Sequence, residues 1–206
     1  MADQIARARV KLFVASSNPG KLREFRTLAA GHTIELSLIP DFDSLPRFDE
    51  SAPTFAENAA GKALHYSRSV EEPVIADDSG LVVPALGGAP GPKSARYAGE
   101  DASDAENLNK LLEEMRGKRD AERVARFVCV LAMAKQGRLI AVLSDSAEGT
   151  LLEAPRGEGG FGYDPIFFYA PLGKTFAELP REEKNLHSHR GKAFRKLLRL
   201  IEGDSF

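Results

Sequence analysis

The sequence predicts an α/β fold with a mixed β-sheet and flanking helices, on two observations. First, short β-type runs alternate along the chain with segments whose apolar residues recur at helical spacing. Second, two β-rich runs, Val124 to Ala134 and Leu139 to Ser144, flank Gln136-Gly137, a dipeptide typical of a tight hairpin turn. Because a hairpin joins antiparallel strands, we expect part of the sheet to be antiparallel.

The other predicted strands are short. Lys11 to Ala15 predicts the first strand, and Pro73 to Ala76 predicts a second one that ends before Asp77. Ile166 to Phe168 predicts a third, after a glycine-rich segment. A helix follows the first strand, because apolar residues lie three and four positions apart after it. These residues are Leu22, Phe25, Leu28 and Ala29.

Two capping boxes mark the starts of further helices. Thr54 with Glu57, and Ser103 with Glu106, place a hydroxyl and a carboxylate three residues apart, which satisfies N–H groups of a first helical turn. Gly117 is positioned to end the second helix. The C-terminal segment predicts a helix packed on the core. The apolar stripes are Phe55, Ala59, Ala63, Tyr66 and Val70; Leu108, Leu111, Leu112 and Met115; and Phe194, Leu197, Leu198 and Ile201.

Length and composition predict one domain over residues 1–206, with 1–9 as a flexible extension. A hydrophobic content of 43% argues against disorder. The formal charge of -2 gives no general attraction to nucleic acid or to an anionic membrane, so we expect neither as a partner. Cys129 is the single cysteine, and the N-terminus lacks the apolar core of a signal peptide. We therefore expect a cytoplasmic protein.

Two adjacent acids, Asp77 and Asp78, separate the predicted strand from a second apolar run, Leu81 to Val83. Asp, Ser and Gly suit a sharp turn, and a turn is one interpretation of this segment. Two carboxylates at the edge of a core repel each other, however, because charge is poorly screened there. A metal ion or a cationic side chain would relieve that repulsion, so a functional site is the other interpretation.

The loop Ser16 to Lys21, SSNPGK, joins the first predicted strand to the helix after it. Free N–H groups and the positive end of the helix dipole favour an anion at such a junction. Its polar donors are Ser16, Ser17, Asn18 and Lys21. The sequence is not the P-loop pattern, and a capped helix with an exposed lysine is the alternative.

The segment Gly157 to Pro165, GEGGFGYDP, combines four glycines with two aromatic residues and an acid. Glycines let a backbone approach a flat ligand, and Phe161 or Tyr163 could stack on a base. A glycine-rich turn before a strand is the alternative. The loop Gly88 to Tyr97 similarly predicts either a substrate-facing loop or a rigid surface loop.

Cationic residues and no acids occupy Lys184 to Arg199, a composition usual for a solvated helix face. Its beginning, within REEKNLHSHRG, lacks helical periodicity, so Lys184, His189 and Arg190 could contact an anion or a base edge. Zinc is not indicated, because the histidines lack a complementary ligand set. Acids without sulfur or imidazole partners favour Mg²⁺ together with phosphates. The adjacent acids, the SSNPGK loop, the glycine-rich segment and the cationic segment together predict a nucleotide site.

Five motifs follow one another over nearly the whole chain: ASSNPGKLREF, TFAENAAGKA, ADDSGLVVPALGGAPGPKSARYAGEDA, GEGGFGYDPIF and LPREEKNLHSHRGKA. With these motifs the chain resembles the inosine/xanthosine triphosphate pyrophosphatases, which remove non-canonical purine nucleotides. The resemblance implies an elongated, two-lobed α/β fold about a central cleft, a homodimer and dependence on Mg²⁺. It also implies hydrolysis of the triphosphates ITP, dITP and XTP to a monophosphate and pyrophosphate.

The resemblance further implies roles for individual residues. Asp78 would be the catalytic acid at the metal and the water, Ser79 would contact substrate, and Glu50 or else Asp49 would be a second metal ligand. Whether Asp77 or Asp78 is the base stays open at this point. Ser17, where a glycine is frequent, and the additional imidazole of His187 depart from the family pattern. The triphosphate would contact Ser16, Ser17, Asn18, Pro19, Gly20 and Lys21; the base would contact Phe161, Gly162, Tyr163, Asp164, Lys184, His189 and Arg190.

Two other functions fit parts of the pattern. A phosphatase with an aspartyl nucleophile would release single phosphates, but it requires acids two positions apart, whereas here they are adjacent. A non-catalytic nucleotide sensor would keep the loops without needing the paired acids.

Overall fold

The computed structural model describes residues 9–16 and 19–203, with the backbone alone for Pro19. Apart from Arg9, the predicted flexible extension lies outside the described residues, as do Ser17 and Asn18.

A mixed seven-stranded sheet forms the centre of the molecule, in the order β2-β1-β3-β4-β5-β6-β7. β1 pairs in parallel with β2 and β3, and each later pair is antiparallel. The predicted mixed sheet with flanking helices is therefore confirmed. The strands are β1 Val10–Val14, β2 Ile34–Leu38, β3 Val74–Val82, β4 Val124–Lys135, β5 Arg138–Leu151, β6 Phe167–Tyr169 and β7 Lys174–Thr175.

The described helices flank this sheet, and the predicted caps start two of them. Ser103 and Glu106 form a complete capping box, and the Thr54 hydroxyl accepts a hydrogen bond from the Glu57 N–H at 3.2 Å. None of the described helices is long and apolar enough to cross a membrane. The helices are α1 Pro19–Ala29, α2 Phe55–Tyr66, α3 Asp104–Glu114, α4 Arg181–His187 and α5 His189–Glu202.

The hairpin prediction is confirmed. Gln136 and Gly137 have φ angles of 50° and 73°, the left-handed conformation that a two-residue turn of this kind requires at both central positions. β5 continues beyond the predicted end at Ser144 to Leu151 and so reaches the far end of the sheet.

Three predictions about elements are wrong. β3 does not end at Ala76 but continues through Asp77 and Asp78 to Val82, because all of its residues pair with β4. α2 ends at Tyr66, so Val70 lies outside it. The REEKNLHSHRG stretch is helical, in α4 and α5, because the Ser188 hydroxyl caps a new helix where the first one ends. β2, with its short alternating sequence IELSL, was not predicted.

Separate hydrophobic cores cover the two ends of β3. At its N-terminal end, Ile75 packs with α1 and α5 on one face, and Ala76 packs with α2 on the other. At its C-terminal end, Leu81 joins a different core, which includes α3 and the last strands. The segment Asp77 to Gly80 lies between these cores. β3 therefore places Asp77 and Asp78 at the boundary between two packed regions, the hydrophobic cores at its two ends.

Candidate active site

A cleft of about 720 Å³ opens at this boundary. It is lined by residues from both packed regions, so its walls are set by elements far apart in sequence. Among the predicted site residues, those that line it are Ser16, Lys21, Asp49, Glu50, Asp78, Ser79, Phe161, Gly162, Tyr163, Asp164, Lys184, His189 and Arg190. Gly20 lies in the first turn of α1, whereas Ser17 and Asn18 lie outside the described residues.

The two adjacent acids have different surroundings because they belong to a strand. Successive side chains of a strand point to opposite faces of the sheet. Asp77 therefore lies on the face that α1 and α5 cover, and Asp78 lies on the face that α2 covers. The interpretation of this segment as a turn is wrong, and the sheet itself separates the two charges.

Cations surround the Asp77 carboxylate. The Lys21 Nζ lies 2.9 Å from Asp77 Oδ2, and the Ser79 hydroxyl donates a hydrogen bond to the same oxygen at 3.0 Å. The Arg190 Nε lies 3.7 Å from it. Burial alone would raise the pKa of Asp77, but Lys21 and Arg190 hold that pKa well below its usual range. Asp77 is therefore a fixed negative charge that orients two cations.

A buried acid that the sequence reasoning missed completes this face. Glu24 is 6% exposed; it accepts a hydrogen bond from Arg190 and lies 3.2 Å from the Lys184 Nζ. Lys184 in turn donates to Asp164 at 2.6 Å. Although burial opposes ionisation, the two cations lower the pKa of Glu24. The sequence offered one signal for this role: Glu24 lies three residues after Lys21, on the side of α1 that carries the apolar residues.

The ring of Phe161 covers two of these cations. It lies 4.9 Å from the Lys184 Nζ and 5.4 Å from the Arg190 guanidinium carbon, within the range of cation–π attraction. Tyr163 is instead an anchor, since its ring is buried and its hydroxyl donates a hydrogen bond to the Ser94 carbonyl at 2.8 Å. Phe161 is therefore the aromatic residue of this loop that is available to a flat ligand.

His189 is a buried, neutral imidazole at the same end of the cleft. Its ring stacks on Phe127, with centroids 4.8 Å apart. Burial and the charges of Arg190 and Lys184 lower its pKa well below the usual value. Its Nδ1 atom has no hydrogen-bond partner among the described residues. A buried polar atom without a partner is unfavourable, which is consistent with a site that a ligand completes.

Fewer cations neutralise the Asp78 face. Asn58 of α2 donates a hydrogen bond to Asp78 Oδ2 at 2.9 Å, and its amide also pairs with the backbone of Ala52, two residues after Glu50. Burial raises the pKa of Asp78 to about 6, and the negative charge of Glu50 adds to this against the opposing effects of Asn58, Lys21 and Lys62. Asp78 is thus a buried carboxylate that can exchange a proton near neutral pH.

Glu50 is held beside Asp78 by two cations. Lys62 donates to its side chain at 2.9 Å, and Arg96 donates to its backbone carbonyl at 2.6 Å. Asp49 instead accepts a hydrogen bond from Ser51 at 2.7 Å. Asn58, Lys62 and Arg96 were not predicted from the sequence. A signal for the first two was available: the capping box fixes where α2 begins, and both are polar residues on the buried side of that helix.

Gly80 is required because a neighbouring turn packs directly on β3. The 3₁₀ segment Gly91–Arg96 crosses the strand there, and its Ser94 hydroxyl accepts from the Leu81 N–H at 2.9 Å. A Cβ atom at Gly80 would lie 2.5 Å from the Gly91 carbonyl oxygen, closer than real contacts allow. The loop Gly88 to Tyr97 is therefore held rigidly, and it also forms part of the cleft wall.

The sequence of this chain is similar to those of known proteins. A model of the Ham1 family matches residues 12–200. The chain belongs to the Ham1 family. A dITP/XTP pyrophosphatase of Geobacillus kaustophilus is 54% identical over 187 residues, which are 91% of this chain and 92% of that protein. Another, of Syntrophobacter fumaroxidans, is 50% identical over 191 residues, covering 93% of this chain and 82% of the relative.

Solved structures of similar proteins have the same fold. The structure of a HAM1 protein from Coxiella burnetii matches with a TM-score of 0.85 and 38% identity, covering 94% of this chain and 99% of that one. A nucleoside-triphosphatase / dITP/XTP pyrophosphatase from Mycobacterium abscessus matches with a TM-score of 0.71 and 38% identity, covering 92% and 99%. The family resemblance and the α/β fold predicted from the motifs are both confirmed.

Proposed function

We propose that this Ham1-family chain hydrolyses non-canonical purine nucleoside triphosphates, namely ITP, dITP and XTP, to the monophosphate and pyrophosphate. It is then a nucleoside triphosphate pyrophosphatase that removes such nucleotides from the pool. The observation that supports the proposal most is that the two faces of β3 carry different groups. Asp78, a carboxylate that can accept a proton, lies in the cleft, and a pocket lined by cations begins on the opposite face of the same strand.

The triphosphate would bind at the start of α1. Lys21 supplies a full positive charge there, and Ser16 adds a hydroxyl to the same wall of the cleft. The N-terminus of a helix favours anions through its free N–H groups and its dipole. Lys62 and Arg96 extend the positive charge along the wall toward Glu50. Contacts of Ser17, Asn18, Pro19 and Gly20 with phosphate stay predictions of the family pattern.

Asp78 and Glu50 fit the requirements of Mg²⁺. The described residues contain no group of three or more His, Cys, Asp or Glu side chains that could enclose a metal. Mg²⁺ is commonly held by one or two carboxylates, with phosphate oxygens and waters completing the shell. We favour Glu50 over Asp49 as the second ligand, because the charge of Glu50 acts on Asp78 and Asp49 is bonded to Ser51. When bound, Mg²⁺ would neutralise charge on the phosphate oxygens.

Asp78 is the base in this proposal. In this proposal, water attacks the α-phosphorus of the substrate as pyrophosphate leaves. Asp78 lines the cleft and its pKa is raised to about 6, so its ionised form can take the proton from that water. Asp77 is unsuited to this role because cations stabilise its ionised form too strongly. Lys21 is placed to stabilise negative charge on the phosphates.

The base would bind at the Phe161 end of the cleft. Hypoxanthine and xanthine carry an acceptor oxygen at position six, whereas adenine carries a donor amine. Lys184, His189 and Arg190 are all donors, and Phe161 offers a ring on which a purine can stack. Adenine would leave a buried donor without a partner, which costs about 1–3 kcal/mol for each mismatch.

We further propose one domain, a homodimer and a cytoplasmic location. A single family model spans residues 12–200, which supports one domain. Leu139, Ile140 and Val142 of β5 are 45%, 51% and 43% exposed, an apolar strip that a second copy of the chain could cover. Sedimentation analysis of the wild type and of Ile140→Glu tests the dimer, which the substitution should weaken.

Product analysis in ¹⁸O-labelled water tests the proposed function. Purified protein with Mg²⁺ and ITP should release pyrophosphate and inosine monophosphate, with the label in the monophosphate because water attacks the α-phosphorus. Asp78→Asn serves as the inactive control. Orthophosphate and inosine diphosphate as first products would indicate a phosphatase instead, and a label in pyrophosphate would place the attack at the β-phosphorus. A single nucleotide bound without turnover would indicate a sensor.

A further inference from the structure

Asp104 holds the tip of the loop that carries Phe161. The Gly162 N–H donates a hydrogen bond to Asp104 Oδ2 at 2.7 Å, joining residues 58 positions apart in the sequence. Within the described residues, this is the one hydrogen bond that joins residues 160–162 to any residue outside 157–164. The neighbouring Phe161 N–H donates within the loop, to Asp164 at 2.9 Å. Asp104 therefore connects the loop tip to the body of the molecule.

The base of the loop is fastened independently of Asp104. The Arg156 N–H donates to the Pro165 carbonyl at 2.8 Å, and the Gly159 N–H donates to the Ala177 carbonyl at 3.0 Å. Gly160 and Gly162 have φ angles of 74° and 61°, a backbone that returns sharply on itself. The tip thus extends from a fixed base and carries the Phe161 ring over Lys184 and Arg190.

The helix that contains Asp104 does not need its side chain for capping. Asp104 is the first residue of α3, and the capping box of this helix is formed by Ser103 and Glu106, each of which accepts a hydrogen bond from the other's N–H. The Asp104 carboxylate points to Gly162 instead and lies on the wall of the cleft. Its contacts therefore concern the base end of the site.

We propose that Asp104 is a positioning residue for base recognition, which fixes the Phe161 ring over the Lys184–Arg190 pair through the Gly162 N–H. This rests on the proposed function, since it assigns the ring a role in holding a purine. A purine that reaches the two cations must lie against this ring. Loosening the tip should therefore weaken substrate binding and leave the chemical step at Asp78 nearly unchanged.

A matched set of variants separates positioning from helix stability. Asp104→Ala removes the acceptor, Asp104→Asn keeps an acceptor oxygen without the charge, and Glu106→Ala weakens the same helix start without touching the loop. We expect Asp104→Ala to raise the KM for ITP about fivefold with kcat within about twofold, as for one exposed charge-assisted hydrogen bond. Asp104→Asn should restore most of the KM, and Glu106→Ala should leave it unchanged while lowering Tm.

A second readout does not depend on turnover. The chain contains no tryptophan, so Phe161→Trp places a single tryptophan, which can be excited selectively over tyrosine, at the loop tip. In that background, Asp104→Ala should shift the emission to longer wavelength and lower its anisotropy, while Asp104→Asn and Glu106→Ala should match the parent. Unchanged emission and anisotropy in Asp104→Ala would overturn the proposal, as would a KM change reproduced by Glu106→Ala. If ITP is not a substrate, the product assay fails but the fluorescence result still stands.

Discussion

The two faces of β3 give neighbouring aspartates opposite properties. On the face covered by α1 and α5, Asp77 lies among Lys21, Arg190 and the Ser79 hydroxyl. On the face covered by α2, Asp78 receives one hydrogen bond from Asn58 and lies near the like charge of Glu50. Both carboxylates are buried. The difference between them arises from their partners, so residue type and burial alone do not identify the reactive acid.

This comparison assigns separate tasks to the two faces. The Asp77 face contains paired charges that orient Lys21, Lys184 and Arg190, which are the cations that would contact the substrate. The Asp78 face keeps a carboxylate whose ionised form is less stabilised, as a base or a metal ligand requires. Substituting each acid in turn should therefore affect different measured quantities.

The largest expected effect is on the stability of Asp77→Asn. Removing one partner of a buried ion pair costs about 3–5 kcal/mol, because it reduces the negative charge that compensates buried cations. For a chain of this size we expect a fall in Tm on the order of 10 °C, measured by calorimetry. Asp145→Asn is the matched control, since its pair with Lys196 is partly exposed and should be worth at most about 1 kcal/mol. Equal effects of the two substitutions would show that Asp77 is not a structural charge.

The next effect is on the turnover of Asp78→Asn. The fold should persist, because an amide oxygen can still accept the hydrogen bond from Asn58. The kcat for ITP should fall at least about a hundredfold, since the substitution removes both the proposed base and a proposed metal ligand. The measurement is steady-state kinetics together with the circular dichroism spectrum. Near-normal turnover in a folded variant would remove Asp78 from the mechanism.

A smaller effect is expected on base selection in Arg190→Lys. This substitution keeps a positive charge for Glu24 but loses the fork of N–H donors. The ratio of kcat/KM for ITP over ATP should fall about tenfold, the size of one mismatched buried donor. Arg96→Lys changes the same residue type at the Glu50 end of the cleft and should leave the ratio unchanged. If Arg190→Lys weakens both substrates equally, Arg190 contacts phosphate and not the base.

The sequence allowed α1, α2, α3, α5 and the hairpin to be predicted, because capping boxes, periodicity and a turn dipeptide are local signals, whereas the cleft residues were predicted from the motifs and the family resemblance. It did not reveal that β3 continues through Asp77 and Asp78, since polar residues in mid-strand resemble a turn until the partner strand is known. Glu24 was missed for a similar reason. Its partners Lys184 and Arg190 are 160 and 166 residues away, and ion pairing over that distance has no local pattern.

Carboxyl ¹³C NMR titration of the metal-free protein tests the separation of the two acids most directly. The folded-state pKa of Asp78 is raised to about 6, so its proton should be lost, and its charge appear, as pH rises through that value. Any stability that the protonated form confers is lost over the same rise. Asp77, whose pKa is lowered by Lys21 and Arg190, should stay ionised throughout the acid range in which the protein is folded. An ordinary carboxyl midpoint for Asp78, or one step shared by both residues, would contradict the assignment of opposite roles to the two faces of β3.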